Sequence, residues 1–107
     1  MIKVGEIGKV FRLSTSFDMS ANTALTIKLT DPDGVETTIT NPRVTAPAVE
    51  VTVPDLGTLA ASTYMEFTTL ATDFTQAGSW SACGVYEDGT PKEFHSDPAT
   101  FTIGESC

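Results

Sequence analysis

Residues 76–86, Gln-Ala-Gly-Ser-Trp-Ser-Ala-Cys-Gly-Val-Tyr, hold the only tryptophan of the chain between two turn-like stretches, Ala77-Gly78 and Glu87-Asp88-Gly89-Thr90. An extended backbone alternates its side chains between two faces. As a strand, this stretch sets Trp80, Ala82, Gly84 and Tyr86 on one side and Ser81, Cys83 and Val85 on the other. A large ring followed by two small residues marks an inner sheet face that a second sheet approaches closely. Trp80 and Ala82 are therefore read as core, since large aromatics fill the space between layers of a sandwich. The competing reading is an exposed ring on which a sugar stacks.

The same two-residue period recurs along the chain. Phe11 and Leu13 fall on one face of a strand at 10–15, and Leu25, Ile27 and Leu29 on one face of the next, with Thr26, Lys28 and Thr30 outward. Asp31-Pro32-Asp33-Gly34 then supplies a turn: proline presets φ, and glycine accepts a positive φ that other residues resist. The chain returns as Val35-Glu36-Thr37-Thr38-Ile39, so residues 24–40 read as a hairpin. Val49, Val51 and Val53 alternate inward against Glu50 and Thr52, residues 59–62 read as one helical turn, and residues 18–23 as a polar connector. A strand at 64–70 puts Met65 and Phe67 on one side and Tyr64 on the other; Phe94 marks a short strand, and Phe101 and Ile103 close the domain inward. Ile2, Val4, Tyr64 and Phe94 are the candidate interface residues. Short strands punctuated every 8–12 residues are the mark of a sandwich. The 107 residues, without linker or repeat, read as a single domain, 1–107.

Charge narrows the partners. Fourteen acidic and six basic residues give a formal −8, and Lys3, Lys9, Arg12, Lys28, Arg43 and Lys92 are scattered. Phosphate neutralisation needs clustered cations, so nucleic acid is excluded as a partner, as is an anionic membrane surface. No apolar run is long enough to span a bilayer, and the first residues lack the apolar core of a signal peptide. Synthesis in a cytoplasm is the expectation, with Cys83 and Cys107 as free thiols.

Searching for chemistry returns structural explanations. Gly5-Glu6-Ile7-Gly8-Lys9-Val10 has two residues between its glycines where a phosphate loop has four, so it reads as a turn. Asp31, Asp33 and Glu36 lack the downstream bidentate glutamate of a calcium loop. One histidine, His95, cannot build a multi-histidine zinc site, and no nucleophile elbow accompanies it. Cys83 has no basic neighbour to activate it. No enzyme activity, cofactor or metal is expected.

Several stretches together resemble the immunoglobulin-like β-sandwich modules that decorate and connect tailed-phage virions. They are Val4-Gly5-Glu6-Ile7-Gly8-Lys9 with Phe11-Arg12-Leu13, Phe17-Asp18-Met19-Ser20, Leu25-Thr26-Ile27-Lys28-Leu29 with Pro32-Asp33-Gly34, Ala77-Gly78-Ser79-Trp80, and Asp97-Pro98-Ala99-Thr100-Phe101-Thr102-Ile103. Gly78-x-Trp80-x-Ala82 stands where an immunoglobulin domain carries Gly-x-Tyr-x-Cys, so the antibody-type disulfide is absent. The resemblance implies an all-β, immunoglobulin-like antiparallel β-sandwich of seven or eight strands. It also implies a non-enzymatic virion protein, present in many copies of a symmetric assembly and docked on portal, neck, tail, fibre or capsid proteins. A neck or tail accessory or fibre adaptor is preferred over capsid decoration. A carbohydrate-binding module contacting the host surface is the alternative of another class. The N-terminal segment and the tail at 104–107 are expected to order on binding.

Overall fold

The computed structural model describes residues 2–15, 18, 19, 22–41, 43–53, 57–88 and 93–105. Phe17, the 54–56 break, the 89–90 turn and Cys107 lie outside them. Among the described residues there is no helix and nine strands: β1 (Val10–Ser14), β2 (Asn22–Thr30), β3 (Glu36–Thr40), β4 (Val51–Val53), β5 (Gly57–Leu59), β6 (Tyr64–Thr68), β7 (Gly78–Asp88), β8 (Glu93–His95) and β9 (Ala99–Ile103). The count exceeds seven or eight because three of the strands, β4, β5 and β8, are pieces of only three residues. β4 pairs only with β5, and β8 and β9 share one edge of β7 in succession.

Every pairing between these strands is antiparallel. Besides the small β4–β5 ribbon there are two main sheets: one holds β1 beside β6, and the other runs β3-β2-β7, with β8 and β9 completing it. Strands β1 and β2 are neighbours in sequence but lie in opposite sheets, and so do β6 and β7. Each connection thus crosses between layers, which interlocks the two sheets. The protein is an all-β sandwich.

What brings the layers together is the pattern read at 76–86. Trp80 and Ala82 are buried, as are Gly84 and Tyr86. A Cβ at Gly84 would lie 3.1 Å from Met65 Sδ and 3.2 Å from Leu13 Cδ2, so β1 and β6 close tightly here and a larger residue would need those side chains to shift by a few tenths of an ångström. Beside that contact, Phe11, Phe67, Phe74, Trp80 and Phe101 form one aromatic cluster. Phe74 meets Trp80 edge-on at 5.1 Å, and Phe101 meets Phe11 at 5.0 Å. Tilted and edge-on rings at such spacings are favourable beyond their buried area. The Trp80 indole N–H donates to the Gln76 carbonyl at 2.9 Å, so burying the ring strands no donor.

Phe11, Leu13, Leu25, Ile27, Leu29, Phe67 and Ile103 occupy the core as expected, and Phe101 is half-buried against it. Two assignments fail. Val49 is 62% exposed and Val51 only half-buried: Val49 precedes β4, and β4 pairs with β5 alone in a short ribbon outside the two main sheets. Residues 59–62 are no helical turn: Leu59 ends β5, Ser62 adopts φ 61°, and the Thr63 N–H donates to the Ala60 carbonyl at 3.3 Å. The connector at 18–23 is not wholly polar in role either, since Met19 is buried. The N-terminal segment and Gly104 order each other. Val4 N–H donates to the Gly104 carbonyl at 2.9 Å, and Gly104 N–H to the Ile2 carbonyl at 3.0 Å.

The hairpin at 24–40 forms as read. Asp31 Oδ1 accepts the N–H groups of Asp33 (2.9 Å) and Val35 (2.8 Å), and Gly34 takes φ +86°. Gly34→Ala is expected to cost about 1 kcal/mol, the usual penalty for a left-handed alanine. A thermal melt of the variant checks it, and an unchanged midpoint contradicts the strained turn.

Candidate docking surface

The residues first considered for an interface are largely spent on the fold itself. Ile2 and Val4 are half-buried against the core. Phe94 is half-buried and stacked on Tyr86, centroids 4.8 Å apart. Tyr64 corrects the expectation: it does point away from Met65, but it is 1% exposed. Residues 45–49 fold over it. Its hydroxyl donates to the Val49 carbonyl at 2.9 Å, Ser62 N–H donates to the Pro47 carbonyl, and Thr45 bridges Glu66. Alternation gives the side a residue faces but not what later covers that side.

The residues considered for chemistry are dispersed. His95 lies exposed on β8 with Nε2 2.7 Å from Glu93 Oε1. Cys83 Sγ donates to the Ser96 carbonyl at 3.2 Å. Asp31, Pro32, Asp33 and Gly34 make the hairpin turn, tied down by Gln76 Nε2 donating to Asp33 Oδ2 at 3.0 Å. Among the described residues no three His, Cys, Asp or Glu side chains gather where they could hold a metal ion, and no buried side-chain polar atom lacks a partner.

What the fold does present is the outer face of β1 and β6. Val10, Arg12 and Ser14 stand opposite Thr68, Glu66 and Tyr64 across this ladder. The Tyr64 end is covered; the Val10–Thr68 end is open. There Ile7 is 71% exposed, Val10 43% and Leu70 48%, three of the five large apolar residues that the fold leaves exposed among those described. Their backbone is pinned at Thr69. Thr69 N–H donates to the Lys9 carbonyl (2.7 Å), Gly8 N–H to the Thr69 carbonyl (2.9 Å), and Lys9 N–H to Thr69 Oγ1 (3.1 Å). Two residues opposing one is a bulge, a device that re-aims side chains at a sheet edge. An open depression of about 400 Å³, lined by Arg43, Thr68 and Leu70, adjoins the patch.

Arg43 is not a vacant cation at this depression. Its Nη1 and Nη2 donate to Asp73 Oδ1 (3.1 Å) and Oδ2 (2.6 Å), and Nη2 also donates to the Thr68 carbonyl at 3.1 Å. The guanidinium stands 5.5 Å above the Phe67 ring. Its pKa is raised, chiefly by the hydrogen bond to Asp73, with burial opposing and the charge of Asp73 assisting. Two further ion pairs neutralise the same side of the molecule: Arg12 Nε to Glu66 Oε2 at 3.0 Å, and Lys9 Nζ to Glu6 Oε2 at 3.7 Å. No local spacing announces Arg43 with Asp73, which lie thirty positions apart.

Fold and surface together define an all-β sandwich with a partly apolar outer face. Comparison with protein-family models, with curated proteins and with solved structures returns no match.

Proposed function

We propose that the chain is a non-enzymatic structural module that docks on other proteins of a tailed-phage particle, as a neck or tail accessory or fibre adaptor. The observation that carries the docking half is the Ile7–Val10–Leu70 patch: exposed apolar groups brought to one end of a sheet by hydrogen bonds at Thr69 mark interaction sites. The virion setting rests on the resemblance of the stretches quoted above. Topology supports the immunoglobulin-like part of it. The pairs β1–β6 and β2–β7 sit in opposite sheets as the central pairs of an immunoglobulin sandwich do, and β3 extends one edge.

The sugar-binding alternative loses its main platform, because Trp80 is 3% exposed and hydrogen-bonded inside the core. Titration of the folded protein with glycans is expected to leave Trp80 fluorescence unchanged; a saturable shift, with calorimetric glycan binding that a folded Trp80→Phe variant loses, would revive that reading. Imaging particles made with and without the protein tests the proposal directly. Density at the neck or tail supports it, density over the capsid lattice transfers it to a decoration role, and particles that never contain the protein refute it.

A further inference from the structure

We propose that the open outer face of β1 and β6 pairs two copies of this chain back to back, an inference that rests on that face being a docking face. Charge selects the partner. The Glu6–Lys9, Arg12–Glu66 and Arg43–Asp73 pairs cancel on or beside this face, so the whole formal charge of −8 resides on the rest of the chain. Exposed carboxylates there include Asp33 and Glu36 at one end of the long sheet and Glu87 and Glu93, directly opposed, at the other. A second copy approaching by any of those surfaces meets like charge, which opposes close approach. Approaching by Ile7, Val10 and Leu70, it meets a neutral surface with apolar groups to bury. Two-fold pairing needs a patch complementary to itself. Apolar groups flanked by both signs of charge, Lys9 and Arg12 with Glu6 and Glu66, satisfy that requirement when rotated onto a copy. A strongly basic partner would instead be drawn to the acidic ends.

Sedimentation velocity of the whole protein tests this. The self-association constant is expected to rise between about 20 mM and about 300 mM NaCl, as the Debye length shrinks from ~20 Å to ~6 Å and the net repulsion is screened. Leu70→Asp should lower it by about tenfold or more, the loss of one good interface anchor. Val35→Asp adds the same charge at an exposed valine in the turn between β2 and β3, off this face, and should lower it far less; circular dichroism establishes that both variants are folded. Equal loss in the two variants, association weakened by salt, or a monomer at every concentration would each overturn the pairing. A monomer that still joins particles, and fails to do so as Leu70→Asp, overturns self-pairing while keeping the docking face. A monomer whose incorporation ignores Leu70→Asp overturns both.

Discussion

Phe74→Ala is expected to lower the unfolding free energy by about 4 kcal/mol, the usual cost of deleting a fully packed phenylalanine. Its ring is 1% exposed and touches four others: Phe11 (centroids 5.9 Å apart), Phe67 (6.3 Å), Trp80 (5.1 Å) and Phe101 (5.8 Å). Phe11 and Phe67 belong to one sheet, Trp80 and Phe101 to the other, and Phe74 comes from the connection between β6 and β7. The ring therefore bridges the layers at the point where the chain crosses between them. A domain of this size has a total stability of about 5–15 kcal/mol, so the variant should be near the threshold of folding. Urea unfolding measures the difference. Phe74→Leu, which keeps most of the apolar volume, should recover more than half of it. A loss below about 1 kcal/mol for the alanine variant would mean that the cluster does not join the sheets.

Asp73→Ala is expected to cost about 2–3 kcal/mol, the range for removing a buried charged acceptor that holds several donors. Asp73 is 6% exposed and accepts from Arg43 Nη1, Arg43 Nη2 and the Leu70 N–H, the last at 2.7 Å. It fixes the loop carrying Arg43 to the turn that delivers Phe74. Arg43→Ala leaves the carboxylate buried with one neutral donor, so it should cost nearly as much, and the double variant much less than the sum. Because the Arg43 pKa is raised, its contribution is complete below the ordinary guanidinium range and fades only as pH climbs through the raised value. The cation thus stays in place across neutral and moderately alkaline pH. Additive losses in the three variants, read from thermal melts, would show that the two residues act separately.

Strands that face a second layer were legible because period-two alternation survives wherever one side is buried. β1, β2 and β7 carry that signal clearly, and the Pro-Asp-Gly turn fixed the β2–β3 register. Alternation misled at Val49 and Val51, which repeat the pattern in a short ribbon outside the two main sheets. Phe74, Met19 and Val44 escaped notice for the opposite reason: each is a single apolar residue in a connection, and only the path of that connection makes it core. Tyr64 was placed on the right side of its strand, yet a later loop covers it. The exposed apolar patch was the least legible part. Ile7 and Leu70 sit beside turns, sixty-odd positions apart, and nothing local tells a reader that the Thr69 hydrogen bonds bring them together.

The most direct test is the nuclear Overhauser spectrum of the labelled protein in solution. Interlocked sheets closed over the aromatic cluster predict strong cross-peaks from the Met65 and Leu13 methyl groups to the Gly84 α protons, and from the Phe74 ring to the Trp80 indole. A folded protein lacking those cross-peaks, with an indole N–H that exchanges as fast as that of a free peptide, would contradict it.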